Sequence, residues 1–141
     1  MEDVASIEPS PEQLRALVAE TNGDAPVVMI NLLRYRERAA YAPGADVEPC
    51  SGRDAYGRYQ VGVTPLLTEA GASVLWFGRA RQTVIGPDAE RWDDAILVQY
   101  PSRSAFLAMV SRPAYQRIAM HRTAALADSR LIATETVMAR A

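Results

Sequence analysis

The only histidine of this chain, His121, is followed directly by Arg122 in the segment RPAYQRIAMHRTAALADSR, residues 112–130. Imidazole exchanges protons near neutral pH, and a guanidinium group binds carboxylates through paired hydrogen bonds. On a helix, a rotation of about 100° per residue places Arg122 near the centre of an apolar stripe and His121 at its edge. Because burying an unpaired guanidinium is costly, Arg122 must reach the surface, pair with a carboxylate or point into a wet cleft.

Two interpretations of this pair stay open. In the functional one, the two side chains lie at the rim of a cleft, where His121 acts as the catalytic acid–base and Arg122 binds an anionic substrate. In the structural one, His121 is half-exposed and Arg122 forms an ion pair with Glu135 or Asp128 that only supports the fold, a role that ionic groups often have.

Three further residues are candidate substrate-binding residues. Asn31 interrupts the apolar run APVVMINLLRY, and a buried amide needs a partner, so its side chain either bonds a neighbouring loop or faces a cavity. We expect Tyr59 and Trp76 to form the apolar wall of that cavity. Core packing is the default alternative for Trp76, because aromatic side chains supply most of the mass of a sheet core.

No metal and no cofactor are expected from the sequence. Cys50 is the only cysteine and is far from His121 in the chain, which argues against a zinc site within one chain and excludes an intramolecular disulfide. Glu90, Asp93 and Asp94 are close together, but they lie in a predicted turn and are interpreted as surface charge.

Composition excludes several other classes of protein. All fifteen basic residues are arginine, so a Schiff-base lysine and a P-loop lysine are both excluded. The net charge of −2 provides no positive field for nucleic acid or anionic lipid. The first residues do not resemble a secretion signal, and no apolar run is long enough to cross a bilayer. We therefore expect a cytoplasmic protein without nucleic-acid or membrane partners.

Hydrophobic periodicity divides the chain into alternating helices and strands. A capping box at Ser10 and Gln13 begins a short amphipathic helix. The order strand–helix–strand then occurs twice, which is typical of the ferredoxin-like βαββαβ arrangement with an antiparallel four-stranded sheet. We predict an α+β fold with an extra N-terminal helix in residues 1–25, a single domain over residues 26–138 and a long loop at residues 36–52. The predicted strands are APVVMINLLRY, ASVLWFGRARQTVIG, WDDAILVQYP and SRLIATETVMA.

Three stretches, PVVMINLLRYRERAAY, GRDAYGRYQVGVTPLLTEAGASVLWFGRARQTVIG and YPSRSAFLAMVSRPAYQRIAMHRTAALADSRLI, resemble the domain of unknown function 1330 family. The resemblance covers roughly residues 26–135. It implies a dimeric α+β barrel, in which two ferredoxin-like sheets face each other and a cleft lies between each sheet and its helices. The family has no established activity, so the resemblance assigns no catalytic residues here.

The sequence therefore predicts a small cytoplasmic homodimer that binds an anionic or aromatic organic molecule in a cleft between sheet and helices. Any chemistry would be proton shuttling or cofactor-free oxygenation. The alternative is a dimeric binding or structural module without turnover, in which the charges of His121 and Arg122 are structural.

Overall fold

The computed structural model describes residues 5–20 and 24–140, and these contain four helices and four strands. After the N-terminal helix, the chain follows the order β–α–β–β–α–α–β, because a turn before Pro113 divides the second long helical region. The helices are α1 (Pro11–Ala19), α2 (Gly52–Glu69), α3 (Arg103–Val110) and α4 (Pro113–Ala125), and the strands are β1 (Val27–Tyr35), β2 (Ser73–Arg79), β3 (Asp94–Tyr100) and β4 (Leu126–Thr134).

The four strands form one antiparallel sheet in the order β2-β3-β1-β4. The two central strands β1 and β3 are thus separated in the chain by α2 and β2, as in a ferredoxin-like fold. The predicted α+β class, the βαββαβ order and the extra N-terminal helix are confirmed.

The two faces of the sheet differ in their environment. Successive side chains of a strand point to opposite faces, and in β1 Val27, Met29 and Leu33 are buried while Ile30 and Leu32 point the other way. The helices α2 and α4 pack side by side on the first of these faces. We call it the helix face, and we call the other side, which no described element covers, the open face.

The structure moves two strand boundaries relative to the sequence pattern. The last strand was expected to begin at Ser129, but α4 ends at Ala125 and β4 begins directly at Leu126. Leu126 is fully buried and pairs with Tyr35, so this residue extends the sheet rather than the helix. Strand β2 ends at Arg79 instead of residue 86 because its partner β3 begins opposite it, which leaves the following residues without a partner strand.

The long loop after β1 contains no helix or strand over residues 36–51, yet its backbone is bound to the end of α4. The amides of Arg36 and Ala40 donate to the carbonyls of Ala125 and Ala124, each at 2.8 Å. Gly52 follows the loop, and a Cβ atom at this position would lie 2.6 Å from the Ala125 carbonyl oxygen and closer still to that of Arg36. Only glycine permits this approach.

The N-terminal helix α1 begins as predicted. The Ser10 hydroxyl accepts from the Gln13 amide at 3.1 Å, and the Gln13 side chain accepts from the Ser10 amide at 2.9 Å, which completes the capping box. None of the residues of α1 is fully buried, so this helix covers the domain without entering its core. In the part of the chain that the structure describes, no helix is both long and apolar enough to span a membrane.

Candidate ligand-binding cleft

A cleft of about 1320 Å³ lies between the helix face of the sheet and the helices that cover it. Ligand pockets typically measure roughly 300–1,000 Å³, so the space is sufficient for a small organic molecule. Most of the wall is apolar. Val98 of β3, Val63 of α2 and Phe106 of α3 belong to it, and Leu14 and Leu17 of α1 close one side.

Arg122 projects from the last turn of α4 into this cleft, as its position on the apolar stripe predicts. Its Nη1 atom donates to the carbonyl of Ile7 at 2.6 Å. The ion pair with Glu135 or Asp128, which the structural interpretation of Arg122 includes, is not formed by the described residues, and Asp128 pairs with Arg130 at 2.9 Å instead. Across residues 5–20 and 24–140, no carboxylate forms an ion pair with Arg122. No carboxylate of the described residues therefore compensates its charge next to an apolar wall.

Asn31 lies on the same face of the sheet and lines the cleft. Its Nδ2 atom donates to the carbonyl of Ile96 in the neighbouring strand at 3.3 Å. Of the two alternatives left open by the sequence, Asn31 thus faces a cavity and bonds a strand rather than a loop. Ser129, which is 3 % exposed, adds a hydroxyl on the edge strand β4. The polar groups of the cleft lie on different elements.

A row of tyrosine rings crosses the helix face. The ring centroids of Tyr35 and Tyr56 are 5.5 Å apart, those of Tyr56 and Tyr59 are 5.3 Å apart, and Tyr59 and Tyr115 are joined by a 3.0 Å hydroxyl contact. Burial raises the pKa of Tyr56 to about 12, although the positive charge of Arg122 opposes this shift, and burial also raises the pKa of Tyr59. These phenols are therefore neutral hydrogen-bonding groups at physiological pH rather than bases.

His121 is not part of the wall of the cleft. Its Nδ1 atom is 2.7 Å from the hydroxyl of Tyr41 in the long loop, and Arg58 donates to the same hydroxyl at 3.1 Å. Burial and then the positive charge of Arg58 lower the pKa of His121. Because consecutive helical residues point about 100° apart, the structure does not bring His121 and Arg122 together. The catalytic role of His121 therefore stays a prediction.

Trp76 does not form a wall of the cleft, and the expectation from the sequence is wrong on this point. The register of β2 shifts between Val74 and Trp76, so Trp76 pairs with Leu97 and shares the open face with it. Its ring covers Gly78, where a Cβ atom would overlap it. Tyr59, in contrast, lies in the cleft wall as expected. A shift of one residue is sufficient to move a side chain to the other face of a sheet.

Asp94, interpreted from the sequence as surface charge, is only 1 % exposed. Its Oδ2 atom accepts from the Tyr35 hydroxyl at 2.6 Å and from Arg53 at 3.1 Å, and Arg79 lies 3.9 Å from its Oδ1 atom. Alternation along β3 could have revealed this burial, because Asp94 shares its face with Ile96. Among the residues described, no group of three acidic, histidine or cysteine side chains is placed to hold a metal ion.

Fold and cleft together define a ferredoxin-like α+β protein with an apolar cavity under its helices. Residues 46–137 match the model of the domain of unknown function DUF1330, and the chain belongs to that family. The resemblance inferred from the sequence is thereby confirmed. No curated protein matches this chain.

Solved structures share the architecture. The chain is 35 % identical to the methylated RPA0582 protein, with a TM-score of 0.88 and coverage of 95 % of this chain and 96 % of that one. A second structure of RPA0582, described as a protein of unknown function from Rhodopseudomonas palustris, is 34 % identical with the same TM-score and covers 96 % and 100 %. A dimeric protein of unknown function from Bacteroides fragilis, 12 % identical with a TM-score of 0.51 and coverage of 79 % and 96 %, shares the fold alone.

Proposed function

We propose that this protein binds a small organic anion with an apolar or aromatic body in the cleft beneath its helices. The observation that carries the proposal is that Arg122 lines a mostly apolar cleft, donates to the backbone carbonyl of Ile7 and pairs with no carboxylate of the described residues. A partly buried guanidinium is stabilised most by an anionic acceptor, because hydrogen bonds between charged groups are roughly twice as strong as neutral ones. A ligand carboxylate or sulfonate supplies that acceptor.

The other groups of the cleft fit such a ligand. Asn31 and the neutral hydroxyl of Tyr59 can hydrogen-bond its polar atoms, and Val63 and Phe106 can contact its apolar part. Binding pockets commonly combine an apolar wall with a few polar groups that orient the ligand. Of the two arginines in the wall, Arg130 is paired with Asp128 and only Arg122 has no ion-pair partner among the described residues, which favours a monoanion over a polyanionic ligand.

Binding is better supported than turnover. The buried phenols of the cleft are held neutral, and His121, the candidate acid–base, contacts Tyr41 outside the cleft wall. Proton shuttling or cofactor-free oxygenation is therefore the second candidate function, and it would require His121 to act from outside the cavity. The proposal keeps the cytoplasmic location expected from the sequence and includes no nucleic-acid or membrane partner.

A matched pair of fluorescent probes tests the proposal. 8-Anilinonaphthalene-1-sulfonate is an aromatic anion, and N-phenyl-1-naphthylamine has a similar ring system without the sulfonate. We expect R122Q to weaken binding of the anion by about tenfold, equivalent to about 1.4 kcal/mol, and to leave the neutral probe unchanged. Arg117 is an exposed arginine on the same helix, so R117Q is the control and should change neither. Equal effects on both probes would contradict the proposal.

Native mass spectrometry provides a second, independent test. The purified protein is measured under native conditions and again after denaturation. An additional mass that denaturation releases would identify a bound molecule and its stoichiometry, and we expect that molecule to be an organic anion. A released neutral or cationic molecule would contradict the role of Arg122.

We also infer that two copies of the chain pair through the open face. Cross-strand pairing aligns Trp76, Leu97, Ile30 and Ile132 in one row over all four strands. Trp76 and Ile132 are about half exposed, at 53 % and 48 %. Contiguous apolar surface of this kind commonly marks a protein interface. A homodimer covers it with a second, identical face.

A further inference from the structure

Residues 6–9, which we call the N-terminal strap, are bound to the junction between α4 and β4. The amide of Ser6 donates to the Asp128 carboxylate at 2.8 Å, and the Ser129 hydroxyl donates to the Ser6 carbonyl at 2.5 Å. Both backbone polar groups of Ser6 are thus satisfied by side chains that are more than one hundred residues away in the chain. Specific hydrogen bonds therefore hold the strap against the domain.

The next two residues of the strap reach the cleft itself. The carbonyl of Ile7 accepts from Arg122 at 2.6 Å, and the carboxylate of Glu8 accepts from the Thr123 hydroxyl at 2.9 Å. The strap therefore occupies the same guanidinium that we assign to the ligand anion. It binds that group with a neutral carbonyl, the weaker of the two kinds of acceptor.

The position of the strap also determines that of α1. Ser10 directly follows the strap and caps α1, so the two segments are continuous. Leu14 and Leu17 lie in the wall of the cleft, yet no residue of α1 is fully buried and Val18 is 65 % exposed. Few apolar contacts hold α1 in place, so its stability depends on the hydrogen bonds of the strap.

We propose that the N-terminal strap and the anionic ligand compete for Arg122, so that anion binding in the cleft releases the strap and with it α1. This inference rests on the proposed function. A ligand carboxylate or sulfonate that accepts the hydrogen bond from Nη1 leaves the Ile7 carbonyl without its donor and removes one of the four hydrogen bonds of the strap. Because binding linkage is reciprocal, the bound strap weakens the affinity for the anion by the same factor.

Hydrogen–deuterium exchange measured by mass spectrometry tests the competition. Without any probe, R122Q should accelerate exchange over residues 5–20 by about fivefold, the effect of losing one hydrogen bond. Saturating 8-anilinonaphthalene-1-sulfonate should accelerate exchange over the same residues in the natural chain, and N-phenyl-1-naphthylamine should not. Unchanged exchange in R122Q would show that Arg122 does not hold the strap and would overturn the inference, whatever the probes do.

A strap variant distinguishes failure of this inference from failure of the proposed function. D128A removes the acceptor of the Ser6 amide, but it also frees Arg130, which lines the cleft, so D128A is made in an R130Q background and compared with R130Q alone. We expect it to tighten binding of the anionic probe by about fivefold and to leave the neutral probe unchanged. If the anion binds through Arg122 but neither D128A nor exchange responds, strap and ligand bind together, and only the competition is wrong. If anion binding does not depend on Arg122, the proposed function and this inference both fail.

Discussion

Arg122 and Asp94 are both charged residues on the helix face, but their surroundings differ. Asp94 is nearly inaccessible and is bound by Tyr35 and Arg53, whereas no carboxylate in the described residues compensates Arg122. A buried charge with protein donors around it supports the fold, and a partly buried charge without a counterion favours an external partner. The two residues therefore have different expected effects when substituted.

Substitution of Asp94 should destabilise the protein. D94A removes the acceptor of the Tyr35 hydroxyl and the partner of Arg53, and we expect the free energy of unfolding to fall by about 3 kcal/mol. Urea unfolding followed by circular dichroism measures this change. D88A alters an exposed aspartate of the β2–β3 connection and should stay within about 0.5 kcal/mol of the natural chain. Similar values for the two variants would contradict a structural role of Asp94.

His121 should make the protein less stable in mild acid. Its pKa in the folded state is lowered from 6.5, so the unfolded chain binds the proton more strongly. The stability that the neutral imidazole contributes is present above pH 6.5 and is lost as the pH falls through the folded-state pKa. We expect urea midpoints to decrease between pH 7 and pH 5 in the natural chain and to decrease less in H121Q.

Asp128 also has a shifted pKa, but it affects stability at a lower pH than His121 does. Although burial opposes the shift, hydrogen bonds from the Ser6 and Ser129 amides and from Arg130 lower the pKa of Asp128 from 3.8. Its contribution is lost only below that value, outside the range assigned to His121. Identical slopes for H121Q and the natural chain between pH 7 and pH 5 would show that the contact of His121 with Tyr41 does not depend on its protonation.

At the scale of elements, the junction of α4 and β4 organises the molecule. The helix passes into the strand without a loop, and its last carbonyls accept hydrogen bonds from the long loop after β1. The same junction holds the N-terminal strap through Asp128 and Ser129. Segments distant in sequence thus meet at one point, and changes there should affect several elements at once.

Substitutions at Gly52 and Gly57 of α2 test how closely the backbone at Gly52 approaches the end of α4. G52A places a methyl group against the backbone carbonyls of Arg36 and Ala125, and we expect it to destabilise the protein by about 3 kcal/mol. Nothing lies within 4 Å of a Cβ atom at Gly57 in the same helix, so G57A should stabilise the protein by about 0.5–1 kcal/mol. Thermal unfolding of both variants checks the pair, and a neutral G52A would show that the loop moves aside at little cost.

At the scale of the whole molecule, the sheet has one face covered by helices and one face open. The proposed homodimer uses the open face. L97E places a charge in the middle of the apolar row, and we expect it to convert the dimer into a monomer in analytical ultracentrifugation. Ile85 is 94 % exposed in the β2–β3 connection, so I85E adds the same charge elsewhere and should leave the dimer intact. A monomeric natural chain would contradict the interface outright.

Much of the fold follows from local patterns in the sequence. The capping box at Ser10 begins α1, the apolar run that contains Asn31 forms β1, and the order of elements implies the ferredoxin-like sheet. Periodicity also placed Arg122 on the face of α4 that meets the cleft, because side-chain direction on a helix depends only on spacing. These features are local, so the sequence by itself determined them.

Only the tertiary structure showed which residues the candidate side chains contact and which face of the sheet they occupy. Arg122 bonds a carbonyl 115 residues away, and His121 contacts Tyr41, which is 80 residues away. Trp76 lies on the open face and not on the predicted one, because a register shift next to it reverses the alternation of β2. The burial of Asp94 depends on Tyr35 and Arg53 from two other elements. Helix and strand periods specify where a side chain points within its element, but only the packing of elements decides what it meets there.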